Sequence, residues 1–193
     1  TFVRLGEEAQ VWLADQTVEI TADPALWLDS QMLTIPESQI LSMAAFAGQG
    51  AALFEVNRDP ASGELNLTNL PEGRTLRYGT ALTPNFTVIG RLQLLDVAQR
   101  VPLRWEGAAR RVYRLVDGRR VTVQTAADAG DFWIQVQVGQ EDEQVASLDG
   151  TDVFVNITAV QQETFDFKVS QRTFTDLTAD LEQFLKPLEE PTQ

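Results

Sequence analysis

The 193-residue chain contains no histidine and no cysteine. Histidine is the side chain that exchanges protons near neutral pH, and cysteine supplies the thiolate nucleophile. Their absence excludes Ser-His-Asp and Cys-His catalysis, zinc sites built from Cys and His, and any disulfide framework. The remaining carboxylates, lysines, tyrosines and hydroxyls form no known catalytic spacing. The sequence therefore predicts a protein that is not an enzyme and that uses no cofactor and no metal.

Long hydrophobic runs are also missing, because no apolar stretch approaches the roughly 18 residues that a transmembrane helix needs. Acidic residues outnumber basic ones by 28 to 15, which gives a net charge of −13. This charge repels phosphate backbones, so nucleic-acid binding is not expected. Seven arginines nevertheless lie within residues 100–120. We expect them to dock on the acidic C-terminal part of the chain, or else on an acidic partner or on lipid headgroups.

Strand patterns dominate the chain. Residues 110–139 alternate apolar and polar side chains around the turn dipeptide Asp117-Gly118, which predicts a three-stranded antiparallel meander. Gly48-Gln-Gly50 separates two further strand patterns, which predicts an earlier hairpin. Outside the meander, strands are predicted at residues 2–5, 10–14, 40–46, 51–57, 65–67 and 151–160.

Two amphipathic helices are predicted. The first spans about 84–97 and follows Thr83-Pro84, where threonine can cap the helix and proline suits its first position. Gly90 lies inside it and indicates close packing, since glycine costs a helix about 1 kcal/mol relative to alanine. The second spans about 174–186, with Thr173 as its cap and Pro187 after its end. A short helical turn is predicted at 24–28.

The order of these elements suggests a loose internal repeat of hairpin, extra strand and helix. We therefore expect a strand-dominated α+β fold in which antiparallel sheets are each covered by an amphipathic helix. The fold is expected to be a tandem of two similar subdomains, residues 1–98 and 99–193, with the pattern breaking at Pro102.

Trp133 is the leading candidate for a ligand contact, because it faces opposite the Phe132/Ile134 row and its neighbours on that face are Gln135 and Gln137. The other interpretation, that Trp133 packs under a helix or a neighbouring domain, is favoured because large aromatic side chains mostly serve cores and interfaces. Arg110 and Arg111 are candidate partner contacts. Acidic clusters at 128–131, 141–143 and 149–152 are interpreted as turn chemistry rather than cation sites.

Several segments together resemble the bacterial domain of unknown function family 4340. The likeness covers nearly the whole chain, and its landmarks are punctuation rather than chemistry. They are Phe2-Val-Arg-Leu5, Gln10-Val-Trp-Leu13, Asp23-Pro-Ala-Leu-Trp-Leu-Asp29, Leu33-Thr-Ile-Pro36, Leu70-Pro-Glu-Gly73, Leu94-Leu-Asp-Val97 and Phe165-Asp-Phe-Lys-Val169. The chain departs from the family pattern at Phe165, where the family usually has tryptophan.

The resemblance implies a bacterial envelope protein with an N-terminal membrane anchor, encoded beside ABC-transporter components of the gliding-motility type and without established enzymatic activity. It carries over no catalytic residue. Because the chain begins at Thr1 within a strand pattern, we expect it to be a piece of a longer protein whose tether lies upstream.

Three functions follow, in decreasing order of expectation. The first is a non-enzymatic accessory or scaffold ectodomain, periplasmic or in the cell envelope, that binds protein partners such as transporter subunits. The second is a ligand-binding module for a peptide or glycan, using a groove near Trp133. The third, a hydrolase that uses only carboxylates, requires two buried acids in one cleft.

Overall fold

A computed structural model of the chain describes residues 2–3, 10–13, 30–140, 154–155 and 164–187. The strands are β1 (Phe2–Val3), β2 (Trp12–Leu13), β3 (Leu33–Thr34), β4 (Ile40–Phe46), β5 (Ala52–Arg58), β6 (Leu65–Leu67), β7 (Asp96–Gln99), β8 (Ala109–Leu115), β9 (Arg119–Asp128), β10 (Asp131–Gln140), β11 (Phe154–Val155) and β12 (Phe165–Lys168). The α-helices are α1 (Thr83–Thr87), α2 (Gln171–Thr178) and α3 (Leu181–Phe184). Short 3-10 helices cover Glu37–Gln39, Val88–Arg91 and Pro102–Trp105.

Eight of the strands form one antiparallel sheet in the order β6-β5-β4-β8-β9-β10-β12-β7. The predicted meander is confirmed as β8, β9 and β10, and the earlier hairpin as β4 and β5. Two small pairs, β1 with β2 and β3 with β11, lie outside this sheet. The β11 pair covers part of the strand predicted at 151–160; the other residues of that prediction lie outside the described ranges.

The expected tandem of two helix-covered sheets is wrong. Strand β4 pairs directly with β8, with Met43 opposite Tyr113, so strands from both sides of position 98 share one sheet. Strand β7, from the end of the first half, pairs with β12 near the C-terminus. Each half-sheet would otherwise leave unpaired backbone N–H and C=O groups along an edge, and joining the halves satisfies these groups.

One face of the sheet carries the hydrophobic core. Tyr113, Val123 and Ile134 point into it from β8, β9 and β10, and each is fully buried. Helices α1, α2 and α3 pack on this same face, where Phe184 meets Phe54 edge to face with ring centroids 5.7 Å apart. The architecture is therefore two layers, with a sheet on one side and short helices on the other.

The helix predicted over about 84–97 is wrong in its second half. Helical structure ends at Arg91, and the following residues are extended and lead into β7. There the Leu94 N–H donates to the Ser30 carbonyl and the Leu95 N–H to the Lys168 carbonyl, both at 2.8 Å. Strand partners elsewhere in the chain thus take up backbone groups that a longer helix would have bonded internally.

The helix predicted over about 174–186 is also corrected. It begins earlier, because the Ser170 hydroxyl rather than Thr173 is the cap and accepts from the Thr173 N–H at 3.1 Å. The helix breaks at Ala179, whose ψ of 129° is extended, and Asp180 caps the short helix α3 that follows. Lys186 is not helical, since its N–H donates to the Thr75 carbonyl. The helical turn predicted at 24–28 lies outside the described residues.

The two turns of the meander differ in kind. At the β8–β9 turn only Gly118 has a positive φ, of 79°, so Asp117 does not take the left-handed position expected for it. The β9–β10 turn has just two residues, Ala129 and Gly130, with φ of 52° and 87°. Both angles match a type I′ turn, in which asparagine is favoured at the first position and alanine is strained.

Replacing the strained alanine, Ala129→Asn, is expected to stabilise the protein by about 1 kcal/mol, because asparagine tolerates the left-handed conformation. Thermal unfolding should then show a midpoint about 2–4 °C higher. The control Ala127→Asn places the same residue in strand β9, where asparagine is disfavoured and no gain is expected. A lower midpoint for Ala129→Asn would contradict the turn assignment.

Candidate functional site

The sheet face away from the helices carries a shallow groove of about 400 Å³ across strands β4, β5, β8, β9 and β10. We call it the arginine groove; its lining includes Phe46, Glu55, Arg110, Arg114, Arg120 and Gln137. Successive residues of a strand point to opposite faces, so Arg110 and Arg114 share this face of β8. The β8–β9 register places Arg120 directly opposite Arg114.

Positive charge is concentrated in this groove although the chain is acidic as a whole. Three arginines line it against one carboxylate, Glu55. Arg114 and Arg120 are both exposed and stand opposite each other on adjacent strands, an arrangement of like charges that is unfavourable in a sheet. An anion bound between them would relieve this repulsion. Arg110 is fixed nearby, its guanidinium 4.4 Å from the centre of the Phe46 ring.

Arg111, grouped with Arg110 in the sequence analysis, points to the opposite face and is 3% exposed. Its Nη2 donates to the Ala179 carbonyl at the end of α2, at 2.7 Å, and its guanidinium lies 5.5 Å from the Phe54 ring centre. Burial lowers the pKa of Arg111, with the charge of Asp180 acting in the opposite direction. Arg111 thus joins the helices to the sheet, and its side chain does not reach the groove.

A fully buried carboxylate lies beside the groove, on β12. Asp166 accepts hydrogen bonds from Trp105 Nε1 at 2.9 Å, Gln135 Nε2 at 3.0 Å, Arg104 Nη1 at 2.5 Å and the Val101 N–H at 3.1 Å. We call these residues the Asp166 cluster. Four donors converge on one carboxylate, which compensates for the cost of burying its charge.

The Asp166 cluster decides where the predicted ligand contacts lie. It holds the 3-10 helix Pro102–Trp105 against the sheet, with the Arg104 guanidinium 4.5 Å from the Trp133 ring centre. Trp133 is consequently 8% exposed and Gln135 1% exposed. Gln137, two residues further along β10, is exposed and lines the arginine groove. The structure therefore brings Gln137 and Arg110 together but keeps Trp133 and Gln135 buried beside them.

The acidic residues of the described ranges are mostly engaged with cations. Asp128 pairs with Arg104 at 3.0 Å, and Asp131 pairs with Lys168 at 2.7 Å. The buried carboxylates Asp117 and Asp166 each face an arginine rather than a second acid. Within these ranges no set of three acids is placed to hold a metal ion. The clusters at 141–143 and 149–152 lie outside the described residues.

Fold and groove together define an α+β protein with a single sheet, one face covered by helices and the other bearing an arginine-lined groove. No protein-family model matches the chain, and neither a curated protein nor a solved structure is significantly similar to it. None of the helices in the described ranges combines the length and apolar character needed to cross a bilayer.

The sequence analysis missed Arg114 and Arg120 as site residues, although their signal was present. Period-two alternation along β8 places Arg110 with Arg114, and the turn at Gly118 then folds Arg120 back beside Arg114. Phe46 and Glu55 had no such signal, because their place in the groove depends on the pairing of β4 with β8.

Proposed function

We propose that the chain is a non-enzymatic protein-binding module whose arginine groove binds an acidic segment of a partner protein. The observation that carries the proposal is the cross-strand pair Arg114 and Arg120, with Arg110 on the same face, in a chain of net charge −13. Arginine suits this role, because its planar guanidinium can bind a carboxylate through two parallel hydrogen bonds.

The shape of the groove favours an extended segment as its occupant. The groove runs across the residues of five strands and is shallow rather than enclosed. Its volume lies near the lower end of the range for small-molecule pockets, about 300–1,000 Å³, which are deeper and mostly apolar. Side chains of alternating residues on an extended peptide could reach Arg110, Arg114 and Arg120 in turn.

The acidic charge of the rest of the chain selects the partner class. Negative surface around the groove repels nucleic acids and anionic bilayers over a wide area, whereas a short acidic segment meets only the groove. The proposed setting is an assembly of the bacterial envelope that contains transporter-like subunits. The resemblance of the sequence segments to envelope proteins supports this setting.

Binding to a labelled peptide of alternating glutamate and serine, followed by fluorescence anisotropy, tests the proposal. The double variant Arg114→Gln/Arg120→Gln should bind at least about tenfold more weakly, since each hydrogen bond to a charged group contributes roughly 1.5 kcal/mol or more. Binding by the unmodified chain should weaken as salt is raised. The matched control is Arg91→Gln/Arg172→Gln, which removes two exposed arginines outside the groove.

Three results would contradict the proposal. One is equal affinity of the two double variants for the glutamate peptide. Another is equal binding of a peptide in which lysine replaces glutamate. The third is tighter binding to vesicles of anionic lipid than to the peptide, which would assign the groove to a membrane surface instead.

A further inference from the structure

A second cavity lies in the helical layer, on the side of the sheet away from the arginine groove. It has a volume of about 500 Å³ and lies between the segment 83–91 and helix α2. We call it the helical cleft. Its polar lining consists of hydroxyls at Tyr78, Thr80, Thr83, Thr87 and Thr173, two arginines, Arg91 and Arg172, and the carboxylate of Asp176.

The two arginines come from different elements, since Arg91 ends a 3-10 helix and Arg172 lies in the first turn of α2. Both side chains are exposed, and neither forms an ion pair within the part of the chain that the structure describes. Two guanidiniums that line one cavity, with a single acid beside them, give the cleft a net positive charge. Such a pair suits a carboxylate or phosphate group.

The walls of the helical cleft are fixed by hydrogen bonds. The Asn85 side-chain amide donates to the Asp176 carbonyl and joins α1 to α2. The Thr87 hydroxyl donates to the Thr83 carbonyl at 2.9 Å, and Tyr113 O–H donates to the Asn85 carbonyl at 3.1 Å. A cavity whose walls are already held in place loses little conformational entropy when a ligand binds.

The remaining lining matches a sugar ring. Tyr78 is 59% exposed, so its ring offers an apolar face beside the hydroxyls. Threonine hydroxyls and the Asp176 carboxylate can accept or donate hydrogen bonds to sugar hydroxyls, while Pro84 and Val88 supply apolar contact. We propose that the helical cleft binds an anionic sugar, with its acid group on Arg91 and Arg172 and its ring against Tyr78. This site is independent of the arginine groove.

Titration of the 15N-labelled chain with tri-galacturonic acid, followed by NMR, tests the assignment. Shifts are expected at residues 78–91 and 172–176. Arg91→Gln/Arg172→Gln should weaken binding at least about tenfold, since it removes hydrogen bonds to a charged group. Tyr78→Ala should weaken binding about threefold or more, through loss of ring contact. The matched control Arg114→Gln/Arg120→Gln should bind like the unmodified chain.

Comparison ligands separate the parts of the inference. Galactotriose, which is neutral, should bind at least about tenfold more weakly than the acid. Inorganic phosphate binding as tightly as tri-galacturonic acid would show an anion site without sugar recognition and would overturn the proposal. Absence of saturable shifts, or shifts confined to the arginine groove, would also overturn it. These results leave the glutamate-peptide test unaffected, so the two proposals can fail separately.

Discussion

Replacing the buried carboxylate of Asp166 with an amide, Asp166→Asn, is expected to destabilise the protein by about 3 kcal/mol, the cost of breaking a buried charge pair. The amide has nearly the same shape but carries no charge, and one of its two acceptor oxygens becomes a donor. At least one of Trp105 Nε1, Gln135 Nε2 and Arg104 Nη1 would then face an N–H group rather than an oxygen. The measurement is the free energy of unfolding from denaturant titration.

A second signal distinguishes loss of the Asp166 cluster from general destabilisation. Trp105 and Trp133 are only 7% and 8% exposed, and both depend on the segment Pro102–Trp105 staying against the sheet. If Asp166→Asn releases that segment, tryptophan emission of the folded variant should shift to longer wavelength at denaturant concentrations below the unfolding transition.

The matched control is Asp128→Asn, which removes the other carboxylate that binds Arg104. The Asp128 side chain is 52% exposed, and exposed ion pairs contribute less than about 1 kcal/mol. The two variants therefore remove one charge each from the same arginine, at a buried and at an exposed position. Equal destabilisation by both, or an Asp166→Asn variant as stable as the unmodified chain, would contradict the role assigned to the cluster.

The parts of the fold that could be predicted are those encoded by neighbouring residues. The β8–β10 meander follows from alternation and from turns at Gly118 and Gly130, all within thirty residues or so of one another. The hairpin of β4 and β5 has the same origin. In each case the turn residue fixes the pairing, so no information from distant parts of the chain is needed.

The single sheet could not be predicted, because its decisive pairings are non-local. Strand β4 meets β8 across more than sixty residues of chain, and β7 meets β12 across a similar separation. Nothing in a local pattern selects one partner edge over another. The helix predicted over 84–97 failed for the same reason, since the extended form at Leu94 and Leu95 depends on Ser30 and Lys168.

The candidate site was half readable from the sequence. Period-two alternation assigns Arg110 and Arg111 to opposite faces of β8, and it could have placed Arg114 and Arg120 beside Arg110. Asp166 is a carboxylate between two phenylalanines in a strand, a pattern that indicates a buried acid in need of partners. The identity of those partners depends on the position of the segment Pro102–Trp105, which is a tertiary feature.

Gly90 supports the second large prediction, and here the interpretation of close packing is confirmed. A Cβ atom built on Gly90 would lie 2.3 Å from the backbone carbonyl oxygen of Ile35, far inside van der Waals contact. Ile35 is 3% exposed and follows β3 in the core, so its backbone has little freedom to move away. Helix propensity alone would favour Gly90→Ala by about 1 kcal/mol.

Steric overlap should reverse that preference, so that Gly90→Ala destabilises the protein by about 2 kcal/mol or more, the range for forced overpacking in a core. The matched control is Gly139→Ala in β10, where no atom lies within 4 Å of the added Cβ and alanine should be neutral or stabilising by up to about 1 kcal/mol. Both free energies of unfolding come from the same denaturant titration. Opposite signs for the two substitutions are required, because only the contact with Ile35 distinguishes the sites, and a gain in stability for Gly90→Ala would mean that the 3-10 helix does not pass against Ile35.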